Sequence, residues 1–311
     1  MGHLEEHVLE WLRTGDVALA YQVHRDLLST ERADLRERIS NEGVGAALLA
    51  ARGPQGHWGD GFYQPKWTCT HYTLLELMGL GLAPEHPVAT QVVADTLGSL
   101  KGPDGGVNPS GTIKASDVCI NGMVLSYASY FGADEPSLRS VLDFVLAQRM
   151  ADGGFNCRSN RSGALVSSVH TSVSVLEGLT AYRQAGHRYR ADEVSATIAA
   201  TVEYFLEHHL YRRISTGEVM RAEFLRLHHP TRWYFDVLRG LDALRGAGVP
   251  PDPRMADALT VLRSRRRPDG RWAANRGYAG HTHVPEPRAG TPNRWITLTA
   301  LRVLAVYPKA A

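Results

Sequence analysis

The chain has 311 residues, of which 43% are hydrophobic and 21% are charged, as in ordinary globular proteins. Its 34 basic and 32 acidic side chains leave a formal net charge of +2 and are interspersed along the sequence. This pattern argues against a nucleic-acid-binding face, and the lack of an apolar run of about 18 residues argues against a membrane-spanning helix. Three cysteines, and an amino terminus unlike a signal peptide, lead us to expect a cytoplasmic protein.

Turn-forming segments rich in glycine, proline and aspartate recur along the chain at 53–59, 102–108, 151–156 and 267–272. The first three are spaced roughly 50 residues apart, which is typical of stacked helical hairpins rather than of a sheet fold. Glycine and proline end one helix, and an aromatic residue after the glycine can hold the turn against the next helix.

Apolar and amphipathic segments alternate between these turns. We predict inner, buried helices where the sequence is apolar or small nearly all round, at 17–28, 67–80, 119–131, 168–182, 233–244 and 295–306. We predict outer helices in the segments between them, at 4–12, 35–49, 87–100, 137–148, 191–208 and 254–265.

Six inner and six outer helices predict an all-α fold, an (α/α)6 toroid of helical hairpins joined by glycine-rich turns. A single domain is expected over 1–311, in which the helices of 1–52 close the ring formed by the repeats of 53–311. An open helical solenoid is the alternative. It is disfavoured because a solenoid needs polar capping repeats, whereas the last predicted helix is apolar.

An aspartate, a cysteine and a histidine stand at the start of two neighbouring inner helices. Asp117 and Cys119 begin one of them, and His170 lies at the matching place in the next hairpin. Such a set can hold Zn²⁺ and leave one coordination position open, so we predict Asp117, Cys119 and His170 as metal ligands. If the zinc were structural, Cys69 could complete its ligand shell.

These residues, and the glycine-rich turns followed by Trp or Phe, resemble the terpenoid cyclase and protein prenyltransferase superfamily over about residues 50–311. Lys114-Ala-Ser-Asp117-Val-Cys119 is similar to the prenyltransferase β-subunit segment that binds zinc and contacts a prenyl diphosphate. The resemblance therefore implies that Lys114 binds substrate, in a bacterial stand-alone toroid with no obvious partner subunit. Asp-x-Asp-Asp and Asp-Asp-x-x-Asp motifs do not occur, which argues against a squalene-type protonating cyclase and an ionising terpene synthase.

Polar and aromatic residues on or beside the inner helices indicate a central cavity, because burying an unpaired polar group costs about 1–3 kcal/mol. The predicted substrate-binding residues are Trp67, Tyr72, Lys114, Asn121, Arg232, Trp233 and Arg294, and the predicted catalytic residues are Glu177, Tyr234 and Asp236. The arginines could clamp an anionic head group, and Glu177 or Asp236 could act as acid or base.

The leading hypothesis is a zinc-dependent enzyme with prenyltransferase-like or isoprenoid-processing chemistry on a small hydrophobic substrate, which could carry a phosphate or another anionic head. Zinc would either hold a substrate thiolate or act as a Lewis acid. Two alternatives stay open. One is a metal-free terpenoid cyclase-like enzyme, and the other is a non-catalytic toroid that binds an isoprenoid, a lipid or a protein.

Overall fold

The computed structural model describes residues 3–308, and in that range the chain is built from helices joined by loops. The α-helices are α1 (His3–Arg13), α2 (Val17–Leu27), α3 (Ala33–Arg38), α4 (Gly43–Ala50), α5 (Thr70–Leu80), α6 (Pro87–Ser99), α7 (Val118–Tyr130), α8 (Glu135–Ala147), α9 (Ser159–Ser162), α10 (Val169–Gln184), α11 (Ala191–Glu207), α12 (Val237–Gly246), α13 (Ala256–Ser264) and α14 (Arg294–Val306). Extended pairing within 3–308 is confined to isolated bridges. The all-α prediction is confirmed. None of the helices described combines the length and the apolar character needed to cross a membrane.

The inner helices follow one another around a closed order of neighbours. Helix α5 contacts α7, and the contacts continue through α10, α12 and α14 back to α2. Between α2 and α5, α4 packs against both, and the Gln22 side chain donates to the Gly79 carbonyl oxygen at 2.8 Å. The inner helices thus form a closed series of contacts within the described residues.

Three predicted helices differ from those observed by more than two residues. The predicted outer helix 35–49 is two helices, α3 and α4, and α4 begins at Gly43 with a φ of +61°. Helix α5 begins at Thr70 rather than at 67, because Trp67 adopts a left-handed φ of +75°. Helix α12 begins at Val237 because the Asp236 side chain caps it.

Four of the glycine-rich turns are fastened to the following inner helix by the same type of hydrogen bond. The backbone N–H of a residue at or near the end of each turn donates to a side-chain oxygen in the first turn of that helix. The pairs are Trp58–Thr70 at 3.1 Å, Val107–Asn121 at 2.6 Å, Phe155–Ser172 at 2.9 Å and Trp272–Thr297 at 3.0 Å. The donor and the acceptor are 12, 14, 17 and 25 residues apart in the four cases. The same type of hydrogen bond therefore closes loops of different length.

Helices α7 and α10 approach each other more closely than side chains would allow. A Cβ atom on Gly122 would lie 2.7 Å from the Ser174 carbonyl oxygen and 2.8 Å from the Val175 backbone nitrogen. On α10, Gly178 faces the backbone of Gly122. Glycine on both helices therefore sets the position of the α10 face that carries Ser174 and Glu177.

Candidate active site

A cavity of about 430 Å³ lies among the inner helices, within the size range of small-molecule sites. Its apolar wall includes Leu75, Met78, Leu80, Leu238, Trp295 and Ile296. Five carboxylates and three guanidiniums also line it, namely Glu76, Glu177, Asp236, Asp242, Glu286, Arg232, Arg239 and Arg302. An apolar ligand would therefore meet a small number of strongly charged groups at fixed places.

Glu76, on α5, is a buried carboxyl group that faces this cavity. Its Oε2 accepts a hydrogen bond from Arg232 Nη1 at 2.9 Å, and the other terminal nitrogen of Arg232 donates to Glu286 Oε1 at 3.1 Å. The Glu76 side chain is 13% exposed and that of Arg232 is 3% exposed. Burial raises the pKa of Glu76 above its usual value; Arg232 opposes this shift and Glu286 adds to it. Glu76 can therefore keep its proton at a pH where an exposed glutamate would be ionised.

Glu177 and Arg239 form a second ion pair on the cavity wall. The guanidinium donates to both carboxylate oxygens of Glu177, at 2.9 Å and 2.6 Å, and to the Ser174 hydroxyl at 3.2 Å. It also donates to the carbonyl oxygens of Arg232 at 3.2 Å and Tyr234 at 2.8 Å. Bidentate pairing of this kind is strong and directional, so it fixes the loop that presents Arg232 to Glu76.

Asp236, predicted as a catalytic residue, has both carboxylate oxygens engaged with backbone. Oδ1 accepts from the Arg239 N–H at 2.9 Å, and Oδ2 accepts from the His228 N–H at 2.9 Å. The first bond caps α12, and the second holds the loop before it. Asp236 reaches the cavity as predicted, but its contacts are those of a structural residue.

A cluster of aromatic rings adjoins the charged groups. Tyr234 stacks on Tyr278 with ring centroids 3.8 Å apart and on Trp233 at 4.0 Å. Trp67 meets the edge of Tyr72 at 4.8 Å, and the Arg232 guanidinium lies 5.4 Å from the Trp67 ring centroid. Burial raises the pKa of Tyr234, so its hydroxyl stays protonated. Aromatic faces attract cations and present an apolar surface, and this cluster offers both properties.

Asp117 and Cys119, predicted as metal ligands, have other partners. Asp117 Oδ1 pairs with Arg161 Nη1 at 3.0 Å. The Cys119 thiol interacts with that of Cys157, which raises the pKa of Cys119 and lowers that of Cys157, and the Cys119 backbone N–H donates to Cys157 Sγ at 3.1 Å. Across residues 3–308, no three His, Cys, Asp or Glu side chains are grouped so that they could hold a metal ion.

His170, the third predicted ligand, is also engaged. Its Nδ1 accepts a hydrogen bond from the Phe235 backbone N–H at 2.8 Å, and its ring packs against Phe224, Trp233 and Tyr234. Burial, with smaller contributions from Arg239 and Arg221, lowers the pKa of His170 to about 4. A neutral imidazole that accepts at Nδ1 carries its proton on Nε2, which leaves no free lone pair for a metal. The predicted zinc ligands thus do not fit the ion as placed, and zinc stays a prediction.

Of the seven predicted substrate-binding residues, four lie at or beside the cavity and three lie away from it. Tyr72 and Arg232 line the cavity, and Trp67 and Trp233 belong to the aromatic cluster beside it. Three lie elsewhere. Lys114 is exposed, Asn121 uses its amide to hold the turn at Val107, and the Arg294 guanidinium lies 4.8 Å from the Trp11 ring centroid on the outer helix α1.

Glu76, Arg239 and Glu286 were not predicted from the sequence as residues of the site. Glu76 could have been found as a single acidic residue within a predicted inner helix that is otherwise apolar, which is the pattern that drew attention to Glu177. Arg239 could have been found as the basic residue between two aspartates, Asp236 and Asp242, in the predicted inner helix 233–244. Glu286 gave no such signal, because it lies in a long loop with many polar residues.

No family model matches the sequence, and no curated protein matches it. Among solved structures, the chain resembles the type II terpene cyclase MstE from Scytonema. The apo enzyme is 15% identical, with 87% of this chain and 97% of that chain covered, at a TM-score of 0.35. A variant of it in complex with geranylgeranyl dihydroxybenzoate is 14% identical, with 88% and 96% covered, at a TM-score of 0.34.

Proposed function

We propose that the chain is an isoprenoid-processing enzyme of the terpenoid cyclase kind, which binds a mainly apolar polyprene in the central cavity and cyclises it by proton transfer from Glu76. The observation that carries the proposal is a buried carboxyl group with a raised pKa, placed on the wall of a cavity of about 430 Å³. The chain lacks the Asp-x-Asp-Asp motif of squalene-type cyclases, and Glu76 takes the place of that acid here.

The reaction begins when protonated Glu76 gives its proton to one carbon of a terminal double bond. The O–H bond breaks, a C–H bond forms from the π electrons, and the positive charge moves to the other alkene carbon. The carboxylate left on Glu76 is stabilised by Arg232, 2.9 Å away. Attack by further double bonds closes rings, and loss of a proton to water ends the sequence. The carboxylate of Glu76 then takes up a proton from solvent before the next turnover. One proton enters and one leaves, so the product is an isomer of the substrate and no co-reactant is needed.

The aromatic cluster supports the later part of this reaction. Tyr72 lines the cavity, and the other rings of the cluster pack beside it, with Tyr234 stacked between Trp233 and Tyr278. An aromatic face near a migrating carbocation stabilises it by about 0.5–2 kcal/mol. The predicted catalytic role of Tyr234 is replaced in this proposal by packing between Trp233 and Tyr278, in the cluster beside the cavity.

Zinc and prenyl transfer are not steps of this proposal, since Asp117, Cys119 and His170 are engaged with other groups. Both stay predictions from the sequence, and a direct test is available. Elemental analysis of untagged protein should be compared between wild type and the Cys119→Ser and His170→Ala variants. One zinc per chain that is lost in both variants would favour the metal-dependent hypothesis over the present one.

The test of the proposed function is turnover of linear polyprenes in the presence of a chelator, with isomeric products detected by mass spectrometry. Suitable probes are farnesyl and geranylgeranyl alcohols and a geranylgeranyl-substituted dihydroxybenzoate. We expect E76Q to lose about 100-fold or more of the rate, the usual worth of a general acid. The matched control is E85Q, the same change at an exposed glutamate just after α5, which should keep wild-type turnover.

The pH dependence follows from the direction of the Glu76 shift. Because burial raises the pKa of Glu76, the protonated, active form persists above the usual range, and the rate should fall as pH rises through that raised value. Wild-type turnover by E76Q would refute the role of Glu76. Tight polyprene binding by wild type without any turnover would favour the non-catalytic, isoprenoid-binding alternative.

A further inference from the structure

One guanidinium serves two carboxylates that belong to different parts of the chain. Arg232 donates to Glu76 on α5 at 2.9 Å and to Glu286 in the loop before α14 at 3.1 Å. The three side chains are 3%, 13% and 23% exposed, respectively. A single positive charge cannot neutralise two carboxylates in such a poorly hydrated place, so one of the two is favoured in its protonated form.

Glu286 belongs to a loop that covers the cavity, residues 278–287, which we call the cover segment. Its Val284, Pro285 and Pro287 line the cavity directly. Two hydrogen-bond contacts attach the cover segment to helix α5 and to the residues just before it. The Trp67 indole N–H donates to the Ala279 carbonyl oxygen at 2.7 Å, and His283 Nε2 lies 3.1 Å from the Thr73 hydroxyl.

The geometry points to Glu286 as a positioning residue: by sharing Arg232 with Glu76 while the cover segment lies over the cavity, it keeps the proton on Glu76. This inference rests on the proposed function in so far as Glu76 is the proton donor. When the segment is in place, Arg232 divides its two terminal nitrogens between the carboxylates. When Glu286 is withdrawn, the whole charge of Arg232 acts on Glu76, which then ionises more readily. With the cover segment in place, Glu76 therefore holds its proton more firmly than it would beside an undivided Arg232 charge.

Other ionisable groups around the cavity do not take over this role. They are Glu177, Asp236, Arg239, His228, His229 and the Asp242–Arg302 pair. Glu177 is held by both donors of Arg239, and Asp236 accepts from two backbone N–H groups. Burial, followed by Arg232 and Arg302, lowers the pKa of His229 to about 3, so it is neutral near pH 7. Among the charged groups, Arg232 and Glu286 act most directly on the pKa of Glu76.

The experiment is an infrared titration of the Glu76 carboxylic acid, which needs no substrate. Its C=O band is assigned by subtracting the spectrum of E76Q, and its intensity is followed against pH in wild type, E286Q and E286D. We expect the Glu76 titration to move to lower pH in E286Q and to stay near the wild-type position in E286D, which keeps the negative charge. E207Q, the same charge change at an exposed glutamate at the end of α11, is the matched control and should not shift it.

A purely structural role of Glu286 would loosen residues 278–287 without moving this titration. Hydrogen exchange of the cover segment in the same variants measures that loosening separately. An unchanged Glu76 titration in E286Q would overturn the inference, even if E76Q abolishes polyprene turnover. A shift in E286Q together with no polyprene turnover in wild type would support the inference and refute the proposed function.

Discussion

Replacing Gly122 with alanine is expected to destabilise the protein strongly, although alanine is the better helix former. Gly122 lies inside α7, and the new Cβ would stand 2.7 Å from the Ser174 carbonyl oxygen and 2.8 Å from the Val175 nitrogen. Both are backbone atoms of α10, which cannot rotate away as a side chain could. The two helices would have to separate by several tenths of an ångström.

The magnitude follows from two opposing effects. Overpacking costs about 1–3 kcal/mol, and the upper end applies here because rigid backbone must move. Replacing glycine by alanine in a helix returns about 1 kcal/mol. We therefore expect the free energy of unfolding to fall by about 2 kcal/mol. Ser174 and Glu177 would move with α10, so the Arg239 contacts that order the Arg232 loop would also weaken.

The assay is chemical unfolding followed by far-ultraviolet circular dichroism, with G98A as the matched control. Gly98 is an exposed glycine in α6, and its added Cβ would meet nothing within 4 Å. G98A should therefore stabilise the protein by about 0.5–1 kcal/mol. If G122A were as stable as wild type or G98A, the close packing of α7 on α10 would be refuted.

Two further predictions concern stability. Asn121→Ala should lower the free energy of unfolding by about 3 kcal/mol, because it leaves the buried N–H and C=O of Val107 unpaired, while polyprene binding stays unchanged in a direct binding assay. Acidification should destabilise the fold, because burial lowers the pKa of His71 and His229 to about 3 and of His170 to about 4. The unfolded chain takes up these protons first, near pH 6.5, so stability is complete above that pH and falls below it by about 4 kcal/mol per pH unit for three histidines. Unfolding curves between pH 6.5 and 4 measure how steeply the free energy of unfolding depends on pH. If His71→Phe showed the same pH dependence as wild type, the contribution of His71 would be contradicted.

The helices could be predicted from the sequence because their hydrophobic pattern is set by burial. Segment 168–182 is apolar nearly all round, and the structure has α10 at Val169–Gln184. Two predicted helix starts were wrong because apolar loop residues before the helix fit its hydrophobic pattern. Trp67 and Trp233 continue the apolar pattern of α5 and α12, yet both precede the first helical turn.

The candidate site was predicted only in part, for a different physical reason. Tyr72, Glu177, Arg232 and Asp236 were expected at the cavity and line it. The zinc prediction required a free nitrogen on the His170 imidazole. In the structure, His170 Nδ1 accepts a hydrogen bond from the Phe235 N–H, which is 65 residues away in sequence. Sequence spacing can place residues on neighbouring helices, but it does not decide which lone pairs remain free.

The repeated hydrogen bond between each turn and its inner helix also determines where the sequence can accept insertions. Its end points are constant, whereas the chain between them varies from 12 to 25 residues. Because the entropy cost of closing a loop grows only slowly with length, residues can be inserted at these places with little loss of stability. The longest of the four intervals, between Trp272 and Thr297, contains the segment that covers the cavity. The part of the cavity wall that this loop forms can therefore change in length or sequence while the helices around the cavity keep their positions.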